Sequence, residues 1–254
     1  MAQSGRHVID LSGKTALVTG GSRGLGRAIV LAFAAAGADI VVASRKLDAC
    51  AAVAAEVEAL GRAALPVAAN VSQWAGCDAL IEAAYGRFGK IDILVNNAGK
   101  SPLYDSLTGI EERLYDAVLD LNLKGPFRLS AVIGERMAAG EGGSIINISS
   151  LASIRPAAHI VTYAAAKAGL NAMTEAMADA LGPKVRVNGI LPGPFLTDIS
   201  KAWDMAAFQR RADERIALKR GGAAEEIVGA ALYLASDHAS YTTGALIRVD
   251  GGSR

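Results

Sequence analysis

Cysteine is scarce in this sequence, which has only Cys50 and Cys77 among its 254 residues. Two cysteines are too few for a disulfide framework. A chain of this length buries about three quarters of its unfolded surface on folding, so it needs no covalent staples. No CxxC pair or His/Cys cluster is present, and we therefore expect no metal site and no metal requirement for catalysis.

Net charge is also nearly absent. Lys and Arg total 26 and Asp and Glu total 25, without a basic stretch. This balance argues against nucleic acid or an anionic membrane as the main partner. The longest apolar run, Ala28–Ala38, is broken by Asp39 well short of a membrane span. The polar stretch Met1–Lys14 lacks the apolar core of a signal peptide, so we expect a soluble, cytoplasmic, globular protein.

Glycine, by contrast, is abundant, and many of the 28 glycines stand where apolar runs end. Short runs rich in Val, Ile, Leu and Ala predict strands at Thr15–Val18, Asp39–Ala43, Ala64–Val71, Ile91–Val95, Ser144–Ile148, Val185–Ile190 and Ala245–Val249. Helical patterns alternate with them, from about Leu25 to a stop at Gly37 and then at Leu47–Leu60, Trp74–Phe88, Glu111–Met137, Thr162–Leu181 and Ala223–Ala235. Strands without polar alternation are covered on both faces. The sequence therefore predicts an α/β fold, a Rossmann-like doubly wound parallel sheet with helices on both faces, as a single domain over residues 1–254.

One segment interrupts the alternation. Residues 192–219 contain two prolines together with Phe195, Trp203, Met205 and Phe208. This composition suits an irregular segment that covers an apolar site, and we predict a substrate lid at about 192–219.

A glycine-rich turn lies where the first predicted strand passes into the first helix. It reads Thr19-Gly20-Gly21-Ser22-Arg23-Gly24-Leu25-Gly26. Glycines allow positive φ and a close approach of the backbone to a pyrophosphate, and the helix N-terminus offers unpaired N–H groups to phosphates. The spacing differs from the GxGxxG fingerprint, and no Gly-Lys-Ser/Thr ending suggests a nucleoside triphosphatase. Its position in a βαβ unit predicts a dinucleotide site that includes Gly20, Ser22, Arg23, Gly24, Leu25 and Gly26.

Tyr163 and Lys167 are spaced i and i+4 and therefore share one face of a predicted helix. A phenol with a pKa near 10 is a poor acid–base group at neutral pH, but a neighbouring cation favours the phenolate. The pair could therefore move a proton. The same spacing also occurs between ordinary surface residues, so the pair by itself does not decide the function.

Other polar segments follow the predicted strands. Asn96-Asn97-Ala98-Gly99 follows the fourth strand, Asn147-Ile148-Ser149-Ser150 ends the fifth, and Pro192-Gly193 ends the sixth. The carboxyl ends of parallel strands form the edge that binds ligands in open α/β sheets. With the glycine turn and Tyr-x-x-x-Lys in this order, the chain resembles the short-chain dehydrogenase/reductase family. The resemblance covers nearly the whole sequence, from Leu11-Ser12-Gly13-Lys14 to Val249-Asp250-Gly251-Gly252.

The resemblance implies a set of catalytic residues. Tyr163 matches the acid–base group, and Lys167 matches its electrostatic partner, which also holds the nicotinamide ribose. Ser150 occupies the position of the serine that hydrogen-bonds the substrate oxygen, with Ser149 as the alternative. Asn122 matches the asparagine that supports a water-mediated proton relay near the lysine. Positions implied to contact the cofactor are Asn97, Ala98, Gly99, Tyr163, Lys167, Pro192, Gly193 and Thr197.

The second predicted strand bears on the choice of cofactor. NAD sites of this kind usually place an acid at its end, whereas this chain has Ser44 followed by Arg45. Ser44 does not repel a 2′-phosphate, and Arg45 and Arg23 could pair with one, so NADP(H) is favoured over NAD(H). Both arginines could instead be solvated surface residues. Asn70-Val71 departs from the acidic residue usual at this point in the family, but an amide oxygen could still accept from the adenine amino group.

The resemblance implies hydride transfer between nicotinamide and a carbonyl or secondary alcohol. A 3-oxoacyl thioester, a sugar or polyol, and another alcohol such as a steroid all remain open as substrates. The alternative from another class is a catalytically silent nucleotide-binding regulatory protein of the same fold. An epimerase or dehydratase is disfavoured because it usually needs a longer chain. Relatives commonly form tetramers, so a homotetramer or homodimer is expected.

Overall fold

Seven parallel strands form the central sheet of the computed structural model, which describes residues 9–197, 200 and 203–254. The strands are β1 (Thr15–Thr19), β2 (Asp39–Ser44), β3 (Ala64–Ala68), β4 (Ile93–Asn96), β5 (Gly143–Ile148), β6 (Val185–Pro192) and β9 (Leu246–Val249). Their order in the sheet is β3-β2-β1-β4-β5-β6-β9, and every neighbouring pair is parallel. The predicted Rossmann-like, doubly wound, single-domain fold is confirmed.

Helices connect the strands and cover both faces of the sheet. They are α1 (Gly24–Ala35), α2 (Leu47–Ala59), α3 (Trp74–Phe88), α4 (Glu112–Leu119), α5 (Gly125–Ala139), α6 (Val161–Leu181), α7 (Met205–Arg215) and α8 (Val228–Ala235). A tight hairpin cannot join two parallel strands, so the chain must cross over the sheet between them. In this protein each crossover contains at least one helix.

The core consists of two apolar layers, one on each face of the sheet. Phe33 of α1 and Leu234 of α8 pack with strand residues on one face, whereas Leu80 of α3 and Ile133 of α5 pack on the other. Alternate strand positions serve the two layers, since Val18 belongs to the first and Leu17 to the second. This two-sided burial is the physical reason for apolar runs that lack polar alternation.

The strand order reverses at β1, which lies between β2 and β4. Chain connections leave β1 and β4 toward opposite sides at such a switch point, and a crevice opens outside the carboxyl ends of these two strands. The glycine turn follows β1 and Asn97 follows β4, so the fold brings both segments to this crevice.

Several predicted boundaries need correction. The third strand does not extend to Val71, because β3 pairs with β2 and its last partner is Ser44, opposite Ala68. The fourth strand runs over Ile93–Asn96 instead of Ile91–Val95. The other predicted strands are correct to within two residues. The predicted helix Ala223–Ala235 is a 3₁₀ turn over Ala224–Ile227 followed by α8.

The predicted helix Glu111–Met137 is continuous in space but not uniform. A π-helical segment, Asp120–Lys124, separates α4 from α5. π-Helical turns are rare in proteins, but those that occur are often found at functional sites. This one contains the buried Asn122, whose place at the site is described below.

The 192–219 segment is more regular than predicted. It contains the short strand β7 (Phe195–Leu196) and α7, and β7 pairs with β8 (Gly222–Ala223) just beyond the segment. Residues 198–199 and 201–202 of the predicted lid lie outside the described residues. The role of this segment as a lid stays a prediction. In the described part of the chain, no helix has both the length and the apolar character needed to cross a membrane.

Candidate active site

The glycine turn brings backbone close to backbone at the crevice. Gly20 and Gly24 have φ of +65° and +52°, a region that glycine adopts without strain. A Cβ on Gly26 would lie 2.3 Å from the Gly20 carbonyl oxygen, so only glycine fits there. The first turn of α1 has neither a side-chain cap nor an acidic residue, which leaves its N–H groups available to an anion. Ser22 and Leu25 are half-buried in the same turn.

Thr19 holds the turn against the segment after β4, a role that the sequence analysis missed. Its Oγ1 accepts hydrogen bonds from the backbone N–H of Asn97 at 3.0 Å and of Ala98 at 3.1 Å. Asn97 in turn donates from Nδ2 to the carbonyl oxygens of Thr19 at 2.9 Å and Gly20 at 3.2 Å. The Asn97 side chain therefore fixes the turn. A hydroxyl directly before the glycines was the available signal.

Ser150 and Tyr163 meet at the carboxyl end of β5. The Ser150 hydroxyl lies close enough to Tyr163 to lower the pKa of the phenol, which favours the phenolate. Ser150 Oγ also accepts from the backbone N–H of Ala152 at 3.1 Å, which fixes the position of the oxygen. A loop over residues 151–160 separates Ser150 from Tyr163 in the sequence, so only the fold shows that the two hydroxyls lie close together.

The neighbouring Ser149 has different partners. It is buried, and its hydroxyl is within hydrogen-bonding distance of the Lys167 carbonyl oxygen at 3.2 Å and of Asn171 Oδ1 at 2.6 Å. Asn171 Nδ2 donates to Ser153 Oγ at 2.8 Å, and Ser153 Oγ donates to the Ser150 carbonyl oxygen at 2.5 Å. Asn171 therefore braces the loop that carries Ser150. Its place one turn beyond Lys167 on α6 was the signal that sequence reasoning overlooked.

Lys167 lies one helical turn after Tyr163 and is almost fully buried. Its Nζ donates to the Ile148 carbonyl oxygen at 2.7 Å and lies 5.8 Å from the centroid of the Tyr163 ring. Burial disfavours the charged form and lowers the pKa of the Lys167 ammonium to about 7. The helix thus places the two groups on one side, as their spacing predicted.

The electrostatics of Tyr163 differ from the sequence expectation. Burial raises the pKa of the phenol, and the hydrogen bond from Ser150 offsets only part of that increase. Burial also lowers the pKa of Lys167, so the lysine gives the phenolate limited support. In the protein alone, Tyr163 is therefore a phenol at neutral pH.

Asn122 and Gly99 lie on the far side of Lys167. Asn122 Nδ2 donates to the carbonyl oxygens of Val118 and Lys100, each at 2.9 Å. A Cβ on Gly99 would lie 2.8 Å from Asn122 Oδ1 and 3.7 Å from Lys167 Nζ. The missing side chain of Gly99 thus leaves space between the amide oxygen and the ammonium.

Arg23, in the glycine turn, and Arg45, after β2, are the cations predicted to bind a 2′-phosphate. Among the described residues, neither Arg23 nor Arg45 forms an ion pair or a side-chain hydrogen bond, and both are exposed. Arg27, near Arg23, is instead paired with Glu56. Ser44 Oγ lies 3.1 Å from Cys50 Sγ.

Asn70 and Val71 have local partners, and their contact with the cofactor stays a prediction. Asn70 Oδ1, the oxygen expected to accept from an adenine amino group, accepts from the backbone N–H and the hydroxyl of Ser72 at 3.3 and 2.8 Å. Its local turn therefore occupies the oxygen. Val71 is buried in the core beside Cys77, which donates to the Val71 carbonyl oxygen.

The segment after β6 borders the crevice. Gly193 donates its N–H to the Val249 carbonyl oxygen at 2.9 Å directly after Pro192. Thr197 faces Gly24, since a Cβ on that glycine would lie 3.6 Å from the threonine side chain. A cavity of about 410 Å³ opens here, lined by Gly24, Arg27, Ala28, Leu196, Thr197, Ser200, Ala224 and Glu225.

Metal ligation has no candidate in the part of the chain that the structure describes. No three His, Cys, Asp or Glu side chains there are grouped so that they could hold an ion. That catalysis needs no metal stays a prediction.

Comparison with known proteins identifies relatives over nearly the whole chain. A family model described as enoyl-(acyl carrier protein) reductase matches residues 20–254. The L-rhamnose 1-dehydrogenase (NAD(P)(+)) of Sphingomonas sp. strain SKA58 is 37% identical over 250 residues, which cover 95% of this chain and 96% of that protein. The 3-oxoacyl-[acyl-carrier-protein] reductase of Thermotoga maritima is 36% identical over 244 residues, covering 95% and 98%.

Solved structures agree with this result. The 7α-hydroxysteroid dehydrogenase complexed with NADH and 7-oxo glycochenodeoxycholic acid has a TM-score of 0.92 at 33% identity and covers 97% of this chain and 96% of its own. The L-sorbose reductase of Gluconobacter frateurii, complexed with NADPH and L-sorbose, has a TM-score of 0.91 at 32% identity and covers 97% and 98%.

The fold and the site define an oxidoreductase of the Rossmann-like class that acts on a carbinol/carbonyl pair. The chain belongs to the short-chain dehydrogenase/reductase family. Family membership and reaction class are thus confirmed, while the individual roles of the site residues stay predictions.

Proposed function

We propose that this protein catalyses hydride transfer between NADP(H) and a carbonyl or secondary alcohol, with Tyr163 as the acid–base group. The observation that carries the proposal is the contact of Ser150 with Tyr163 beside the buried Lys167. The nicotinamide cofactor, when bound, supplies or accepts the hydride. The alternative of a silent regulatory protein has no support among the relatives named above, which are described as dehydrogenases or reductases.

Tyr163 and Ser150 would act on the substrate oxygen. In the reducing direction, the neutral phenol of Tyr163 gives its proton to the oxygen as negative charge develops there. The Ser150 hydroxyl, held by the Ala152 N–H, donates a second hydrogen bond to the same oxygen. Donors fixed in advance and aimed at developing charge stabilise the transition state.

Lys167 and Asn122 would return a proton to Tyr163. One N–H of Lys167 is used by the Ile148 carbonyl oxygen, which leaves two donors for ribose hydroxyls. A pKa of about 7 allows Lys167 to exchange a proton near neutral pH. The space beside Gly99 gives a water molecule room between Lys167 and Asn122 Oδ1, which supports the predicted relay.

The cofactor would lie along the crevice at the switch point. The N–H groups at the start of α1 fit a pyrophosphate, and the space next to Gly99 fits a ribose near Lys167. Ala98, Pro192, Gly193 and Thr197 line the remainder of this path in the proposal. The absence of a Cβ at Gly20, Gly26 and Gly99 is what allows these approaches.

The proposed preference for NADP(H) rests on Arg23 and Arg45, which have no ion-pair partner within the described residues, and on the uncharged Ser44. A planar guanidinium can bind a 2′-phosphate through two hydrogen bonds, whereas an acid at Ser44 would repel it. The structures of two relatives contain NADPH in one case and NADH in the other, so the family permits both.

Dissociation constants for NADPH and NADH test this preference. Arg45→Ala should weaken NADPH binding about 10-fold or more, as expected for one charge-assisted contact, and change NADH binding less than about 3-fold. Ser44→Asp should reverse the preference. Arg62→Ala removes an arginine paired with Asp39, away from these residues, and is the matched control. Tighter binding of NADH by the unaltered protein would overturn the proposal.

A hydrophobic or mixed substrate is proposed, because apolar side chains border the Ser150 loop and the 192–219 segment. Ile154, Leu196, Trp203 and Met205 are all more than a third exposed. Such side chains are available to an apolar ligand if the 192–219 segment covers the site as a lid. The relatives act on a sugar or a 3-oxoacyl thioester, or are complexed with a sugar or an oxidised bile acid, so all three classes belong in a first substrate panel.

A cytoplasmic location and a homotetramer or homodimer complete the proposal. Cys50 and Cys77 are buried free thiols, consistent with a reducing compartment. Tyr115 of α4 and Phe127 of α5 are nearly half exposed, which favours an interface on this helical face. Size-exclusion chromatography with light scattering measures the assembly directly.

The decisive experiment follows nicotinamide absorbance with a panel of ketones, alcohols, sugars and 3-oxoacyl thioesters. Tyr163→Phe should lower kcat about 10²- to 10⁴-fold, because the proton donor is lost, and leave NADPH binding within about 2-fold. Tyr241→Phe, the same substitution at a fully exposed tyrosine outside the proposed site, is the matched control. Unimpaired turnover by Tyr163→Phe would overturn the assignment.

A further inference from the structure

Arg155 connects the Ser150 loop to a distant part of the chain. It lies five residues after Ser150, and its backbone N–H donates to the Leu151 carbonyl oxygen at 2.9 Å. Its guanidinium Nη1 donates to the Ser253 carbonyl oxygen at 2.7 Å. Nothing local in the sequence indicates that Arg155 has a partner 98 positions away.

Several hydrogen bonds hold Ser253 in place. Its backbone N–H and its hydroxyl both donate to the Asp250 carbonyl oxygen, at 3.2 and 2.7 Å. Arg248 Nη2 donates to the same Ser253 carbonyl oxygen at 3.1 Å, and Arg248 is itself paired with the Asp250 carboxylate. Ser253 is buried despite its polarity. Arg155 is therefore attached to an ordered structure.

The same segment, 250–254, also holds the end of α7. Ser253 forms an antiparallel bridge with Ile216, and Leu218 donates its N–H to the Gly251 carbonyl oxygen at 3.0 Å. The Arg254 N–H donates to the Arg215 carbonyl oxygen at 2.8 Å. One short segment therefore contacts the Ser150 loop through Arg155 on one side and the end of α7 on the other.

We propose that Arg155 is a positioning residue that sets the substrate pocket: through segment 250–254 it holds the 151–160 loop at a fixed distance from residues 215–218 of the 192–219 segment. This proposal rests on the proposed function, in which both segments border the substrate. Along the backbone, the 151–160 loop reaches the end of α7 only through α6 and β6, whereas segment 250–254 contacts both directly. The Arg155 hydrogen bond is the part of this connection that reaches the loop.

Loss of the contact between Arg155 and Ser253 should weaken substrate binding and leave the chemical step unchanged. Ser150 is held independently by the contact of Ser153 with Asn171 and by the buried Ser149. Loss of the Arg155 guanidinium therefore loosens the outer side of the loop, where Ile154 is exposed, and leaves the Ser150 hydroxyl in place. A loss of binding common to ground state and transition state raises KM at constant kcat.

Steady-state kinetics of Arg155→Ala and Arg155→Lys test the effect on substrate binding. With the best substrate of the panel, Arg155→Ala should raise the substrate KM about 10-fold, with kcat and the NADPH KM within about 2-fold. Arg155→Lys should recover most of the loss, because an ammonium can still donate to the Ser253 carbonyl. Arg62→Ala, a control for general loss of an arginine, should match the unaltered protein. An unchanged substrate KM in Arg155→Ala, or an equal fall in kcat, would overturn the proposal.

Hydrogen–deuterium exchange of the same full-length proteins tests the coupling without any substrate. Arg155→Ala should speed amide exchange both in 151–160 and in 211–218, and Arg155→Lys should do so less. Faster exchange in 151–160 alone would refute the bridge between the two segments. If no compound in the panel is turned over, the proposed function and the role in substrate binding both fail, whereas faster exchange in both segments would still establish the contact as a mechanical link. A failure of the bridge alone would leave the proposed function intact.

Discussion

Lys167 donates a hydrogen bond from its buried Nζ to the carbonyl oxygen of Ile148 at 2.7 Å. This bond ties Lys167 of α6 to the end of β5, next to Ser149 and Ser150. Burial disfavours the charged form of the lysine, and the pKa of the ammonium therefore falls to about 7.

The burial of Lys167 predicts a specific dependence of stability on pH. Below pH 7 the lysine is protonated in both the folded and the unfolded chain, so the cost of burying the charge is fully present. Between pH 7 and its ordinary value of 10.5 only the unfolded chain keeps the proton, so the free energy of unfolding rises with pH.

Urea unfolding of the unaltered protein and of Lys167→Met at pH 6, 7.5 and 9 measures this dependence. The stability of the unaltered protein relative to the variant should increase from pH 6 to pH 9. The unpaired Ile148 carbonyl in the variant adds a constant offset and does not change the slope. A difference that is flat or falls with pH would contradict the lowered pKa.

The raised pKa of Tyr163 predicts different pH profiles for the two reaction directions. Carbonyl reduction needs the protonated phenol and should be level through neutral pH and fall at alkaline pH. Alcohol oxidation needs the phenolate and should rise toward alkaline pH. Profiles of kcat/KM in each direction check this, and an oxidation rate that is already maximal below pH 7 would contradict it.

Ser149 and Ser150 should respond in opposite ways to the same substitution. Ser150→Ala removes a donor to the substrate oxygen and should lower kcat about 10²- to 10³-fold with little change in stability. Ser149→Ala leaves Asn171 Oδ1 without its donor and should cost about 1–3 kcal/mol of unfolding free energy. Kinetics and urea unfolding of both variants separate the roles, and the reversed pattern would exchange the two assignments.

Gly99→Ala should disable the site without unfolding the protein. The added methyl would lie 2.8 Å from Asn122 Oδ1 and would fill the space next to Lys167. NADPH affinity and kcat should therefore both fall, as measured by titration and by turnover. Gly86→Ala on α3 is the matched control, because a Cβ there meets nothing within 4 Å and helix propensity favours alanine. Unchanged NADPH binding by Gly99→Ala would remove Gly99 from the cofactor site.

Tyr104 gives a prediction about the start of α6. Its hydroxyl donates to the Ala158 carbonyl oxygen at 2.6 Å and accepts from the Val161 N–H at 2.8 Å. Tyr104→Phe should cost about 0.5–1.5 kcal/mol and speed amide exchange over 158–163. Tyr241→Phe, at a fully exposed tyrosine, should do neither. Equal behaviour of the two variants would show that the Tyr104 contact is not stabilising.

The sequence was a good guide to the sheet because strand patterning depends on burial of nearby residues. The apolar run after Lys14 became β1, and the glycines after it became the turn at the crevice, since both features follow from backbone sterics and local burial. Boundaries were less accurate where a partner strand decides them. The third strand stops at Ala68 because Ser44 ends the neighbouring strand, and nothing within residues 64–71 records that limit.

In the candidate site, too, local sequence decides some features and the tertiary structure decides others. The i, i+4 spacing was enough to place Tyr163 and Lys167 on one side of α6, because the helix geometry is fixed by the chain itself. It was not enough to give the sign of the Tyr163 pKa shift, which burial decides. Nor did Asn70 reveal that Ser72 would occupy its amide oxygen.

The sequence by itself determined the alternation of strands and helices, the glycine turn and the placement of Tyr163 and Lys167 on one side of a helix. These features depend on periodicity and backbone freedom over a few residues. Only the tertiary structure decided that Thr19 secures the turn, that Asn171 braces the Ser150 loop and that Arg155 reaches Ser253. Each of those hydrogen bonds joins groups between 18 and 98 positions apart, and such contacts exist only after the whole sheet has brought its carboxyl edge together.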